Sequence, residues 1–116
     1  MATELFVGPV TPKPGVKGSD VEEFYVKEFL PNLTPLPGYN LTLSKGSQGK
    51  RNEQYLLLGH FESVERAKQL FPIAGDSRGS KEMQDWQESN HVWHQLMDFF
   101  DMPDMLANYT DYIEVS

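Results

Sequence analysis

The segment from residue 55 to residue 61 is apolar at nearly every position and predicts a β-strand. Successive side chains of a strand point to opposite faces of its sheet. One face would carry Tyr55, Leu57 and Phe61, and the other would carry Leu56, Leu58 and His60. Both faces therefore need cover, and a chain of 116 residues has few helices with which to supply it. We expect a second copy of the chain to cover one face.

The other apolar patterns predict three more strands and three helical segments. Short apolar or alternating runs indicate strands at 5–10, 38–44 and 109–115, and helical spacing indicates helices over 19–30, 63–70 and from residue 80 to about 100. The turn-rich residues 45–52 join the second strand to the third as a hairpin. Pro72 and the glycine-containing loop 75–79 lie between the last two helical segments, so the second helix of the fold is expected to be broken.

The first helix has both a start signal and a stop signal. Residues 19–22 read Ser-Asp-Val-Glu and match a capping box, in which the serine and glutamate side chains satisfy free backbone N–H groups. Val21, Tyr25 and Phe29 then recur at every fourth position and form an apolar stripe. Pro31 predicts that this helix ends at about residue 30.

The elements follow one another as strand, helix, strand, strand, broken helix, strand. This βαββαβ order predicts an α+β, ferredoxin-like fold with an antiparallel four-stranded sheet, formed by one domain spanning residues 1–116. Right-handed crossovers would place the first and third strands at the centre of the sheet. Helices would cover one face, and the other face would remain open.

Charge and composition exclude several classes of partner. The chain has 10 basic and 17 acidic residues and a net charge of -7, which repels a nucleic-acid backbone. It has no cysteine, so disulfides, thiolate metal sites and cysteine nucleophiles are absent. The first residues resemble neither a signal peptide nor a membrane span. We therefore expect a cytoplasmic protein with neither a nucleic acid nor a membrane as partner.

Short motifs over nearly the whole chain occupy the places of motifs in a known superfamily. They are Lys13-Pro14-Gly15, Glu28-Phe29-Leu30-Pro31, Leu36-Pro37-Gly38, Phe61-Glu62-Ser63 and Tyr109-Thr110-Asp111-Tyr112. Through them the chain resembles the dimeric α/β barrel superfamily, which includes antibiotic-biosynthesis monooxygenases and stress-responsive barrel proteins. The resemblance implies a homodimer in which two sheets face each other, with a small-molecule pocket between each sheet and its helices. It implies no particular set of catalytic residues.

Aromatic residues at helical spacing suggest a ligand-binding site. Trp86 and Trp93 lie seven residues apart in the predicted long helix, and Tyr25 lies in the middle of the first helix. With Met97 they are suited to line a pocket for a flat aromatic molecule, although such a stripe is more often simply core. Asn90 is a polar exception within the stripe, and its amide needs a hydrogen-bonding partner, which a ligand or an ordered water molecule can supply.

His60 is the candidate catalytic residue. It lies late in the third strand beside Leu56 and Leu58, so its ring is suited to reach a pocket under the helices and to transfer a proton. The alternative is a histidine in the core or in a dimer interface that makes one hydrogen bond.

The sequence predicts neither a resident metal nor a cofactor. The alternative for a metal is His91, His94 and Asp98, which fall on one side of the predicted long helix and have the chemistry of a zinc or iron site. An ordinary solvated helix face with a His94–Asp98 contact is the simpler explanation of this spacing. The acidic residues form no recognisable catalytic pair, and the glycines follow no phosphate-loop pattern.

Three functions remain open at the level of sequence. The first is a homodimeric protein that binds a small aromatic or otherwise hydrophobic molecule between its sheet and helices. The second is a cofactor-independent monooxygenase in which His60, Trp86 and Tyr25 position a phenolic or polycyclic aromatic substrate. The third is a structural or regulatory interaction domain with a filled core. An enclosed space between sheet and helices favours the first two, and tight packing favours the third.

Overall fold

A single antiparallel sheet organises the molecule. The computed structural model describes residues 2–73, 76 and 78–115, and within them four strands pair in the order β2-β3-β1-β4. These strands are β1 (Glu4–Val10), β2 (Tyr39–Lys45), β3 (Tyr55–Phe61) and β4 (Thr110–Ile113). All three strand pairs are antiparallel, and β1 and β3 are central. The predicted ferredoxin-like α+β fold is confirmed.

Helices cover one face of this sheet. They are α1 (Gly18–Phe24), a π-helical segment (Tyr25–Phe29), α2 (Leu30–Asn32), α3 (Val64–Leu70), α4 (Lys81–Ser89), α5 (His91–Met97) and α6 (Met102–Asn108). Ser63 and Ser80 cap α3 and α4, and each side-chain oxygen accepts the backbone N–H of the residue three positions later. In the predicted loop 75–79, residues 75 and 77 lie outside the described part of the chain.

The predicted capping box at residues 19–22 is wrong. Helix α1 begins one residue earlier, with Lys17 at the cap position, and the Lys17 carbonyl accepts the backbone N–H groups of Asp20 and Val21 at 3.0 and 3.3 Å. Gly18 lies against β3, where an added Cβ would come within 2.5 Å of the Tyr55 hydroxyl. Close packing of the first helical turn on the sheet therefore fixes the start of the helix.

The first helix also continues through Pro31, beyond its predicted end. The Leu30 N–H donates to the Tyr25 carbonyl, which is five residues earlier rather than four. Proline lacks an N–H and crowds the carbonyl four residues before it. The wider turn lies immediately before the proline and accommodates it, so the helical path continues to Asn32.

The predicted long helix from Ser80 is two helices. Asn90 interrupts it with extended backbone angles (φ −106°, ψ 91°), and its side chain replaces the missing helical contacts. The Asn90 amide donates to the Trp86 carbonyl at 2.7 Å, and its side-chain oxygen accepts the Thr34 N–H at 2.8 Å. Asparagine side chains compete for backbone groups in this way and so end helices.

Helix α6 was not predicted. Asp101 caps it by accepting the Asp104 N–H at 3.1 Å, and Pro103 lies in its first turn, where a missing N–H costs nothing. Pro103 also lies just beyond the expected end of the preceding helix at about residue 100, where a proline is equally compatible with a helix stop. The chain therefore enters β4 later than expected, at Thr110.

The core between the sheet and the helices has two parts. The larger cluster contains Val10, Val21, Phe29, Leu41, Tyr55, Leu57, Leu96, Met97, Phe100 and Met105. The smaller one contains Leu36, Phe61, Ala67, Leu70, Met83 and Trp86. The two clusters are joined by half-buried residues, among them Phe6, Tyr39 and Trp93, which pack against both.

Candidate functional site

A cavity of about 340 Å³ lies between the sheet and its helices. Its wall includes members of both core clusters and is mainly apolar. The principal apolar side chains are Phe6, Leu57, Phe61, Trp93, Met97 and Met105. The cavity is therefore a cleft beside the two parts of the core that is partly open to solvent.

Gly59 makes room in the sheet for Tyr39, which lines this cavity. Gly59 pairs with Phe6 of β1 and with Leu41 of β2, so it lies in the middle of the sheet. A Cβ atom added at Gly59 would lie 3.1 Å from Tyr39 Cε1 and 3.2 Å from the Tyr39 hydroxyl oxygen. The Tyr39 ring therefore crosses over the glycine, and a side chain at position 59 would press against it.

The Tyr39 hydroxyl is a polar group in this apolar wall. Tyr39 lines the cavity, and burial alone raises the pKa of its phenol. Among the described residues no protein group is found in a hydrogen bond with this hydroxyl. It therefore remains protonated in the physiological range, with a donor available to a molecule in the cavity.

Two carboxyl groups stand at the mouth of the cavity. Asp111 pairs with Phe6 across β1 and β4, and Ile113 pairs with Glu4, so Glu4 and Asp111 are diagonal neighbours on the helix-covered face. Burial raises the pKa of both, and the negative charge of Asp111 raises that of Glu4 further. The charge of Lys68, also in the wall, acts in the opposite direction on Glu4.

This pair of carboxyl groups does not form a recognisable motif in the sequence. Glu4 and Asp111 occupy positions near opposite ends of the chain, and only the pairing of β1 with β4 brings them together. The signal that was available is that each occupies an inward position of its strand. Glu4 alternates with Phe6, and Asp111 alternates with Ile113.

The predicted aromatic site is only partly assembled. Trp93 lines the cavity, whereas Tyr25, Trp86 and Asn90 are not among its wall residues. Tyr25 stacks on Phe29, with ring centroids 5.3 Å apart. The interruption at Asn90 ends the common helix that would have placed both tryptophans on one side.

Trp86 and Asn90 instead anchor the segment that precedes β2. The Trp86 indole N–H donates to the Thr34 carbonyl at 2.7 Å, and Asn90 accepts the N–H of the same residue. The partner that the buried Asn90 amide requires is thus protein backbone, and neither a ligand nor water is needed.

The predicted position of His60 beneath the helices is wrong. His60 is exposed on the opposite face of β3, where one ring nitrogen lies 3.4 Å from the Thr42 hydroxyl oxygen. The odd and even residues of β3 point to opposite faces, and the helices cover the face of Leu57 and Phe61. His60, Trp86 and Tyr25 are therefore not grouped around one substrate position.

The alternative metal site is not assembled either. His91, His94 and Asp98 are all exposed. Across residues 2–73, 76 and 78–115, no group of three or more histidine, cysteine, aspartate or glutamate side chains is placed to hold a metal ion.

The uncovered face of the sheet is uncharged. Its strand positions are Leu5, Val7, Pro9, Asn40, Thr42, Ser44, Leu56, Leu58, His60, Thr110 and Tyr112, which we call the open face. None of these residues is Asp, Glu, Lys or Arg, although such residues make up 23% of the chain. A sheet face that contacts water over its full area normally carries charged side chains.

Comparisons with known proteins yield similar folds only. No protein-family model matches this chain, and no curated protein does. A solved structure from Bacillus halodurans C-125, of the ethyl tert-butyl ether degradation (EthD) family, is 13% identical with a TM-score of 0.48, over 100% of this chain and 99% of that one. A candidate antibiotic biosynthesis monooxygenase from Chloroflexus aurantiacus J-10-fl is 14% identical with a TM-score of 0.45, over 98% and 94%.

Among the described residues, no helix is both long enough and apolar enough to span a lipid bilayer.

Proposed function

We propose that this protein binds a small hydrophobic, preferably aromatic, molecule in the cavity between its sheet and helices. The observation that carries the proposal is the apolar space of about 340 Å³ between the two core clusters. An apolar cleft of this kind leaves hydrophobic surface in contact with water, and a hydrophobic ligand that fills the cleft removes that surface from water. The volume lies in the range of small-molecule sites, and the aromatic side chains in the wall suit a flat ligand.

The third possible function, an interaction domain with a filled core, would require tight packing between the sheet and the helices, and the cavity is at odds with that. The monooxygenase alternative loses the support of its predicted residues, because His60, Trp86 and Tyr25 lie in three separate places. The residues proposed for an oxidation reaction are therefore not grouped at one substrate position, whereas binding requires only the cavity.

The test is to fill the cavity from its wall. Ala67 is 3% exposed and lines the cavity, so Ala67→Leu adds volume inside it. Ala107 is exposed on α6 outside the wall, so Ala107→Leu is the matched control. Binding of 2-ethylnaphthalene is followed through the ¹³C-methyl NMR signals of Met97 and Met105. We expect Ala67→Leu to weaken binding at least about tenfold and the control to leave it unchanged.

Native mass spectrometry of the purified protein provides a second measurement. A co-purified small molecule that disappears in Ala67→Leu supports the proposal. If 2-ethylnaphthalene perturbs neither methionine, or if both variants bind it equally, the cavity is not a binding site.

We also propose that a second copy of the chain covers the open face. The strand positions of the open face carry no charged residue, although the chain has a net charge of -7. Two copies that meet at this face therefore avoid like-charge repulsion between these positions. Its central residues Leu56 and Leu58 are only half-buried in one protomer, and burying them supplies the driving force.

A charge placed on the open face tests this assembly. Leu58→Glu should convert a dimer into a folded monomer, because two buried carboxylates would oppose each other at the centre of the interface. Ala107→Glu makes a comparable change on an exposed helix and should leave the dimer intact. Light scattering gives the mass of each variant, and circular dichroism gives its fold. A wild-type protein with the mass of one protomer, 13.3 kDa, at micromolar concentration refutes the proposal.

A further inference from the structure

The Tyr39 phenol is a polar group in the mainly apolar wall of the cavity. It lies over Gly59 at the centre of the sheet, and no hydrogen bond joins its hydroxyl to a protein group among the described residues. Phe61 is its nearest aromatic neighbour, with centroids 5.0 Å apart, and Trp86 packs edge-on to it at 5.7 Å. A phenylalanine would fill the same space and avoid the desolvation of a hydroxyl.

The mouth of the cavity has a different chemistry. Glu4 and Asp111 present two carboxyl groups on one side of it. Of the two cations in the wall, Arg78 forms an ion pair with Asp76 at 3.5 Å, and Lys68 lies close enough to Glu4 to influence its charge. An incoming carboxylate therefore meets two negative groups and cations that already have negative neighbours.

We infer that the cavity selects a neutral, carbonyl-bearing hydrophobic molecule, such as an aromatic ketone, ester or lactone, whose oxygen accepts a hydrogen bond from the Tyr39 hydroxyl. The inference rests on the proposed function and specifies its ligand. A donor in an apolar wall rewards a ligand oxygen, because the bond forms away from competing water. Glu4 and Asp111 act at the mouth by disfavouring anionic ligands.

Three probes that share one ring system separate these contributions. They are 2-acetylnaphthalene, a ketone; 2-ethylnaphthalene, a hydrocarbon of similar shape; and 2-naphthoate, a carboxylate. Binding is measured through the methionine methyl signals of the full chain. We expect the ketone to bind about three- to tenfold more tightly than the hydrocarbon, which is the usual contribution of one hydrogen bond. The carboxylate should bind more weakly than both.

Tyr39→Phe removes the hydroxyl and keeps the ring. It should reduce affinity for the ketone about three- to tenfold and leave the hydrocarbon unchanged. Tyr25→Phe, at a tyrosine outside the cavity wall, is the matched control and should change neither. Glu4→Gln combined with Asp111→Asn should strengthen binding of 2-naphthoate alone, whereas Asp98→Asn with Glu114→Gln makes the same change in net charge away from the wall and should have no effect.

The infrared spectrum gives a readout that requires no variant. A hydrogen bond from Tyr39 lowers the carbonyl stretching frequency of bound 2-acetylnaphthalene below its value in hexane. If the frequency equals that in hexane, or if Tyr39→Phe affects ketone and hydrocarbon alike, this inference is overturned while the proposed function stands. If none of the probes binds, both are overturned.

Discussion

The two faces of the sheet are made from the same strands, yet they have different environments. Leu57 on the helix-covered face is 2% exposed, whereas its neighbours Leu56 and Leu58 on the open face are only half-buried. The covered face gains its burial from helices of the same chain and retains a cavity. The strand positions of the open face carry no charged residue, and each of them is half-buried or exposed in the described residues. The comparison shows that residue type alone does not determine burial. Adjacent leucines of one strand differ in burial because helices pack over only one face of the sheet.

Truncating adjacent leucines gives the largest expected difference between the faces. Leu57→Ala should lower the free energy of unfolding by about 3 kcal/mol, since it removes a fully buried side chain from a packed cluster. Leu58→Ala should cost less than about 1 kcal/mol in a dilute monomer and more in a concentrated sample in which dimers form. Urea denaturation at two protein concentrations measures both. Equal losses at both positions, independent of concentration, would contradict the comparison.

Asn90 tests how the helices are held on the covered face. Asn90→Ala removes the side chain that bonds Thr34 and Trp86 and leaves the Thr34 N–H group without its partner. We expect a loss of about 2 kcal/mol in unfolding free energy. Asn108→Ala removes an exposed amide of α6 that bonds only within its own helix, and it should cost under about 0.5 kcal/mol. A similar cost for both would show that the Asn90 bonds contribute little.

Acidic groups at two ends of the covered face should respond oppositely to pH. Glu4 and Asp111 have raised pKa values, so they favour the folded state at low pH, and that contribution is lost as pH rises through their folded pKa values. Glu22 has a lowered pKa because Tyr55 and Lys45 bond its carboxylate, so its contribution is present above its ordinary pKa of 4.5 and is lost on acidification.

Thermal melts against pH measure this difference. At pH 7, Glu4→Gln should raise the melting temperature by about 1 °C, and Glu22→Gln should lower it by a similar amount. Below the folded pKa of each group its own substitution should have little effect. Shifts of the same sign for both variants at pH 7 would refute the assignment.

The smallest effect is expected at His60. Because His60 lies on the open face, His60→Ala should leave binding of 2-ethylnaphthalene in the cavity unchanged within about twofold, and stability in the monomer should change by less than about 0.5 kcal/mol. Isothermal titration measures the first, and urea denaturation the second. A strong loss of binding would instead show that a change on the open face affects the cavity on the covered face.

The topology of the sheet could be predicted from the sequence because it depends on patterns within single elements. The apolar strand at residues 55–61 and the order of the elements were sufficient to place β1 and β3 in the centre. The break at Asn90 could not be recognised in this way. It depends on Thr34, a residue far away in sequence, and the apolar spacing continues on both sides of the break.

The candidate site was less accessible to sequence reasoning. Trp93 was identified because aromatic residues at helical spacing are visible in one dimension. Tyr39 and Glu4 were missed, because their importance arises from packing over Gly59 and from pairing between the first and last strands. Helix α6 is a different case, since its aspartate cap and early proline were present in the sequence and were interpreted as the end of another helix.

The wide turn at Tyr25–Phe29 contains one residue more than a regular α-helical turn of the same path. Val26 within it is 61% exposed, so deleting it would remove little buried surface. Such a deletion would nevertheless return the turn to regular α-helical bonding and press Pro31 against the carbonyl four residues before it. The extra residue is therefore what allows the helical path to continue through the proline to Asn32.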